Sequence, residues 1–343
     1  MDQCPDCSNG VDLRVSRRGF VQTMGAAATV AAIGPRLGSA DETKSPCESL
    51  VKKLFTSLKQ EQKDEMCFDW DHKDDRGLLR MHVSNNWQIT GDHKIASDFY
   101  TADQKDMIEA IFWGLYSPDW KDRIKKQLQD DAGGYGKEQS IAIFGQPGTG
   151  KFEFVMTGRH LTIRCDGDSV DHTAFGGPIF YGHAAQGFNE EPTHPGNVFW
   201  HQAQKANALY KMLDGKQREV ALIEKSPAER LVHFGGPEGQ IQGLLISELS
   251  ADQKSHAQKV LDTLIEPYRT SDQTEVRKCL TAQGGLDQCR LAFYKDSDLG
   301  NDGEWDNWRL EGPSFVWHYR GKPHVHVWAN VADDPSVKIT TKG

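Results

Sequence analysis

Near the C-terminal end of the chain, the run Pro323-His324-Val325-His326-Val327-Trp328 sets two imidazoles two residues apart. On a β-strand, alternate residues share a face and lie about 7 Å apart, so His324, His326 and Trp328 face one way and Val325 and Val327 the other. At that spacing two neutral imidazole nitrogens can enter one metal's coordination shell. A third histidine, His160, follows Gly158-Arg159 and precedes a strand in which Leu161, Ile163 and Cys165 take the core side. His160 therefore points to the other side. If it comes within about 8 Å of His324 and His326, the three make a coordination site. Three protein ligands leave a position open for activating water or dioxygen. Zinc, copper and iron all accept imidazole, and the sequence does not choose among them. His183, His194 and His201, in the middle of the chain, are further candidates to ligate or cap such a site. Glu311, at a tight Glu-Gly turn, is the candidate carboxylate ligand or general base.

Other chemistries are poorly provided for. Gly145-Gln146-Pro147-Gly148-Thr149-Gly150-Lys151 has the spacing of a phosphate loop, but the next residue is Phe152 where a magnesium-binding Ser or Thr is required. The adjoining stretch, Phe152 to Met156, alternates with period two, so the glycines and proline read as a hairpin turn between strands and not as the start of a helix. No nucleotide partner is expected. The sequence has no G-x-S-x-G elbow and no H-E-x-x-H motif. The carboxylates are too scattered to nominate a glycosidase pair. Cys4 and Cys7 form a C-x-x-C near the N-terminus. Downstream, Cys47, Cys67, Cys165, Cys279 and Cys289 allow two local pairs in an oxidising compartment, Cys47–Cys67 and Cys279–Cys289, which leaves Cys165 unpaired and buried.

The elements that must position the histidines repeat. Thr101-Ala102-Asp103-Gln104-Lys105 recurs as Ser250-Ala251-Asp252-Gln253-Lys254, and both have the form of a helix start with a hydroxyl at the N-cap and a Gln three residues on. At the same offset Ile111, Phe112, Leu115 and Tyr116 correspond to Val260, Leu261, Leu264 and Ile265, one apolar helix face twice over. Pro118 corresponds to Pro267, and Ile124–Leu128 to Val276–Leu280. Strand segments come next in each copy: Ile141–Ile143 resembles Leu291–Phe293, and Phe154–Gly158 resembles Trp308–Gly312. The reading is an α+β fold, internally duplicated, with helices first and antiparallel strands after. The first repeat covers 48–185, a linker loop 186–204 and the second repeat 205–335, giving two pseudo-symmetric halves with a seam between them. His160 corresponds to Ser314 in the second copy, so the fold itself does not ask for a histidine there.

The chain carries 40 Lys and Arg against 49 Asp and Glu, a formal net charge of −9, with 37% hydrophobic and 26% charged residues. That is the composition of a folded water-soluble protein. An acidic balance without a basic stripe argues against nucleic-acid binding, which needs clustered cations against phosphates. Ser16-Arg17-Arg18-Gly19-Phe20-Val21 matches the twin-arginine export pattern. An uncharged Ala- and Gly-rich stretch to Gly34 and the small residues Gly38-Ser39-Ala40 complete a signal peptide over 1–40. No later apolar run reaches membrane length, so the expected product is exported, periplasmic or extracellular, with no stable span.

Five stretches resemble a bacterial family known as domain of unknown function 3500. They are Ala142-Ile143-Phe144-Gly145, Gly158 to Ile163, Gly177-Pro178-Ile179-Phe180-Tyr181-Gly182, Leu310 to Phe315, and His324 to Trp328. The family pattern shows Gly-His-His before the strand and an Asn after it, where this chain has Arg159 and Arg164; His160, His324 and His326 do match. The resemblance implies a shared site without naming its chemistry. Taken together, the sequence predicts an exported protein binding one metal ion at the seam of two repeats, as a metal-dependent hydrolase or oxidoreductase. The alternative is a non-catalytic extracytoplasmic binding protein for a sugar, peptide or envelope ligand.

Overall fold

In the computed structural model, the described residues are 46–91, 93–184, 198–234, 236, 240–296 and 298–343. The chain enters through α1 (Pro46–Ser57) and α2 (Gln60–Met66), then short strands β1 (Cys67–Phe68), β2 (Lys73–Asp74), β3 (Gly77–Leu78) and β4 (His82–Ser84). Helices α3 (Ala102–Gly114) and α4 (Lys121–Ala132) lead into β5 (Ser140–Gly145), β6 (Phe152–Gly158), β7 (Leu161–Cys165) and β8 (Ile179–His183). A second passage runs through α5 (Trp200–Met212), α6 (Gly215–Ala221), β9 (Leu222–Ile223), β10 (Leu244–Leu245), α7 (Ala251–Ile265) and α8 (Thr270–Ala282). It ends in β11 (Arg290–Tyr294), β12 (Asn307–Gly312), β13 (Phe315–Arg320), β14 (Val325–Val331) and β15 (Thr340–Lys342).

The helix starts form as expected. Thr101 Oγ1 accepts the Gln104 N–H at 3.3 Å while Gln104 Oε1 accepts the Thr101 N–H at 3.0 Å. Ser250 and Gln253 make the same reciprocal pair at 3.4 and 2.9 Å. Asp214 and Gln217 add a third at the start of α6. Each box satisfies two N–H groups that the first turn of a helix leaves without a backbone acceptor. At its far end α4 stops on Gly133 in the left-handed conformation, φ 71°.

One large mixed sheet runs β1-β5-β6-β7-β8-β14-β13-β12-β11-β10, with β9 also on β11. Every neighbouring pair from β5 through to β11 is antiparallel, as expected, but β1 on β5 and β9 on β11 are parallel. Both of these are two-residue strands that directly follow a helix, too short to carry a directional signal in sequence. The central join is β8 against β14, where Val325 lies opposite His183, His326 opposite Gly182 and Val327 opposite Tyr181.

The two faces of this sheet differ. One carries Ile141, Ile143, Phe154, Met156, Ile163, Tyr181, Val327, Trp317, Trp308 and Phe293, packed into a single apolar core with helices α1, α3, α5 and α7. The other carries two small apolar clusters, Ala142, Phe144 and Val155 beneath Leu79, Trp87 and Ile89, and Phe180, Trp328 and Val316 beneath Val83 and Val232. Between these clusters it is polar. The segment 67–91, residues near 232 and β15, which pairs with β4, cover it in place of helices. Arg164, fully buried, clamps that cover: it donates to Glu153 Oε1 at 2.7 Å, to the Pro178 carbonyl at 2.7 Å, to the His82 carbonyl at 2.8 Å and to the Arg80 carbonyl.

Two expectations are settled by direction. The Gly145–Lys151 run is the β5–β6 hairpin, with Gly145 opposite Phe152 and no helix after it. Neither local cysteine pair forms. The Cys47 thiol meets the Ile111 carbonyl where α1 packs on α3, away from Cys67 at the foot of β1. Cys279 faces the Ala174 backbone, whereas the Cys289 sulfur lies over Gly285. Cys165 is buried as expected, and burial pushes the thiols of Cys67, Cys279 and Cys289 up to about 12, so they stay protonated and unreactive. The 1–40 segment lies outside the described residues, and no helix among those described is long and apolar enough to cross a membrane.

The capping hydroxyls give a direct test of this local account: Ser250→Ala should lower stability by about 1 kcal/mol in urea unfolding, with the unfolding slope unchanged.

Candidate metal centre

His160 occupies a two-residue turn between β6 and β7, with Gly158 paired to Leu161 across it. Its φ of 54° is left-handed, a conformation that costs a residue other than glycine roughly 1 kcal/mol or more. Two contacts hold it there. The His160 N–H donates to the Asn85 carbonyl at 3.1 Å, and His160 Nδ1 lies 3.0 Å from Asp131 Oδ2 at the end of α4. His324 and His326 come from the start of β14, two strands from β7, on the polar face of the sheet.

The sheet register brings the three together. His326 Nε2 is 3.0 Å from His324 Nε2 and 3.2 Å from His160 Nε2, and one ligand atom from each residue lies within 4.8 Å of the others. Nitrogens bound at 2.0–2.1 Å around a tetrahedral ion stand about 3.3 Å apart. Ring centroids form a near-regular triangle of 5.0, 5.0 and 4.7 Å. His160 and His326 have no solvent exposure and His324 has 8%.

On two of the three rings, the nitrogen on the far side has a carboxylate partner. Asp131 takes His160 Nδ1, and Glu229 lies 3.1 Å from His326 Nδ1 through Oε2. Asp131 is itself held by the Gln127 side-chain amide at 2.9 Å and the Ala184 N–H at 2.8 Å. Glu229 is held by Arg320, whose Nε stands 2.9 Å from Oε1. A proton on Nδ1, fixed by a carboxylate, leaves Nε2 as the lone-pair nitrogen, the tautomer a metal ligand needs. Burial pushes His324 down to about 2. Burial and the Arg320 charge hold His326 well below its ordinary range, so both stay neutral near pH 7. Burial would raise Asp131, but its pairing with His160 and the hydrogen bond from Gln127 outweigh it and hold that carboxyl at about 2.

The other sequence candidates fall elsewhere. His183 ends β8 with Nε2 on Asp130 Oδ2 at 2.8 Å, one residue from the Asp131 that holds His160. His201 is on α5, paired with Glu266 at 3.0 Å. His194 lies outside the described residues. Glu311 is not brought to the histidines. It lies across β13 from Asn330, four residues beyond His326 and two strands over, with its carboxylate on Arg309 at 3.1 Å.

Three residues that position the histidines escaped the sequence reading. Asp131 left a faint trace, since an acidic residue in the last turn of a helix opposes the helix dipole and asks for another reason to be there. Glu229, in a short 3₁₀ turn at Glu229–Leu231, left none. Gly182 matters by what it lacks: a Cβ there would stand 2.3 Å from the Val325 carbonyl oxygen and 3.3 Å from the His160 ring. Only a glycine lets β8 approach β14 and the imidazole lie over the join.

Away from this centre, a cavity of about 1320 Å³ opens between α1, the β7–β8 connection and α8, and its lining includes Glu48, Asp166, Arg269, Asp272 and Glu275. Burial raises Asp272 to about 6 and Glu275 to about 8, the latter although it accepts the Phe175 N–H at 3.0 Å.

Fold and centre together define a mixed α/β protein with a buried three-histidine group able to hold a metal ion. Residues 40–333 match the family described as Protein of unknown function (DUF3500), and the chain belongs to that family. No curated protein and no solved structure matches it.

Glu275 yields a pH test. A folded-state value of about 8 lies above the unfolded carboxylate value, so its contribution to stability is complete below about pH 4.5 and is lost as pH rises through 8. Glu275→Gln keeps the acceptor for Phe175 and removes the titration. Thermal unfolding should show the variant more stable than wild type at pH 9, with the difference shrinking steadily toward pH 4.

Proposed function

We propose that the chain is an exported protein that binds one transition-metal ion through Nε2 of His160, His324 and His326 and uses the remaining coordination position for hydrolytic or oxidative chemistry. The observation that carries this reading is the pair of carboxylates behind the rings. Asp131 and Glu229 sit on the Nδ1 atoms while the Nε2 atoms converge. Histidines buried for packing alone would have no need to turn three lone pairs toward one point, an arrangement that costs desolvation unless something binds there.

A bound ion would supply Lewis acidity toward a water or substrate oxygen. The residues of the chain do the rest. Asp131, fixed by Gln127 and the Ala184 N–H, holds the His160 ring. Glu229, fixed by Arg320, holds His326. The sheet and its covering segments exclude solvent from the three rings. Glu311 takes no part in this reading.

Export rests on the Ser16-Arg17-Arg18-Gly19-Phe20 pattern. We also read the chain as an internal duplication. In support, β1-β5-β6-β7-β8 and β9-β11-β12-β13-β14 repeat one order, joined through β8 and β14. The Asp131–His160 contact has its counterpart in Gln283 Oε1 accepting the Ser314 N–H at 3.0 Å. On that reading one copy kept the metal-binding chemistry and the other kept only the hydrogen bond. The cavity beside α8, lined from both halves, favours a second reading as a ligand-binding protein, since it is large enough for a small organic molecule.

Elemental analysis of purified, tag-free protein tests the first reading. Near one equivalent of metal per chain is expected, absent from His324→Ala/His326→Ala. In Asp131→Asn, affinity should fall by about 10- to 100-fold with the fold retained. Wild-type protein that takes up no zinc, copper or iron on reconstitution would refute the proposal and leave the cavity as the place to look.

A further inference from the structure

The polar face of the sheet continues beyond the histidines with buried groups that no other described residue satisfies. Trp328 follows His326 on the same face of β14, and Asn330 follows Trp328, steps of roughly 7 Å each. Trp328 lies opposite His318 of β13, which lies opposite Arg309 of β12. Asn330 lies opposite Val316, which lies opposite Glu311. Among the described residues, the indole Nε1 of Trp328, Nη2 of Arg309 and both amide atoms of Asn330 are buried without a hydrogen-bond partner. The three residues are 1%, 7% and 2% exposed. Buried polar side chains are nearly always satisfied, and an orphan in a native fold calls for a ligand, water or ion to complete it. Three neighbouring orphans beside a three-histidine group call for it more strongly.

The set has a chemical sense. Trp328 Nε1, Arg309 Nη2 and Asn330 Nδ2 are donors, and Asn330 Oδ1 is the single acceptor. Among charged side chains on these strands, Glu311 lies opposite Arg290 and is paired with Arg309, while Arg320 is paired with Glu229, three cations against two carboxylates. His318, fully buried beside Arg309 and Arg320, is held well below its ordinary range by burial and their charge, so it offers Arg309 Nε a neutral acceptor at 3.4 Å. Donors outnumber acceptors and positive charge outnumbers negative. We propose that this stretch of sheet, from Trp328 and Asn330 across to Arg309, is a binding subsite for a small carboxylate-bearing molecule. Its carboxylate accepts from Arg309, Trp328 and Asn330, and a hydroxyl on the same molecule donates to Asn330 Oδ1. The subsite rests on the metal reading only for its role in presenting a substrate to the centre; binding itself does not require the metal.

Glycolate, the smallest molecule with both groups, is the probe, measured by titration calorimetry on the full chain with and without bound metal. Saturable binding is expected in wild type, weakened about tenfold or more in Asn330→Leu and in Arg309→Met, with metal content per chain unchanged in both. Asn330→Leu removes two orphaned groups, so its thermal midpoint should equal or exceed that of wild type. Asn330→Asp, isosteric but anionic, should abolish binding. No saturable glycolate binding by wild type, equal affinity in the variants, or binding of glucose in place of glycolate would overturn the proposal. A protein that binds glycolate but takes up no metal would instead refute the metal reading and leave the subsite standing.

Discussion

The pairing of β8 with β14 is the constraint on which the rest of the molecule depends. Two runs of strands become one sheet at this join, which pairs residues more than a hundred positions apart in sequence, and His326 comes to lie opposite Gly182. The backbones meet closely enough that a methyl group at 182 would strike the Val325 carbonyl. The same absence of a side chain makes room for the His160 ring, delivered from the β6–β7 turn. Shift the register by one residue and His326 would turn to the helix-covered face, away from Glu229 and His160. The convergence of the three histidines is thus a property of the sheet's register more than of any loop.

The sheet also divides labour between its faces. The helices cover one face with an apolar core, which supplies most of the burial that stabilises the fold. The opposite face carries Glu153, Arg164, His318, Arg309, Glu311, His326 and Asn330, all buried and polar. Such groups are costly to remove from water unless paired, and most here are: Arg164 to Glu153 and three carbonyls, Arg309 to Glu311, His326 to Glu229. The apolar core sits on the helix side and the buried polar groups, the three histidines among them, on the other.

Much of this was legible in the sequence. The capping boxes at Thr101 and Ser250 marked α3 and α7, and period-two alternation after Lys151 separated a hairpin from a phosphate loop. The H-x-H strand with His160 nominated the three residues that do converge. Other features stayed hidden for physical reasons. Asp131 and Glu229 approach the rings from a helix end and a 3₁₀ turn, and no spacing rule links them to a strand histidine. Cysteine spacing suggested two disulfides because separation along the chain says nothing about the direction of a thiol. Glu311 was attractive as a carboxylate at a turn, yet its turn belongs to the far end of β12. The all-buried strand β6, seven residues without an exposed one, shows why the covering segment 67–91 could not be foreseen: alternation there marks two different buried faces, not core against solvent.

The most direct test of the central claim is to locate the ion. Crystals of zinc-reconstituted protein, measured at the zinc absorption edge, should show one strong anomalous peak about 2.0–2.1 Å from Nε2 of His160, His324 and His326, with Asp131 and Glu229 still on the Nδ1 atoms. A peak elsewhere, or zinc bound through Nδ1 with the carboxylates displaced, would contradict the account.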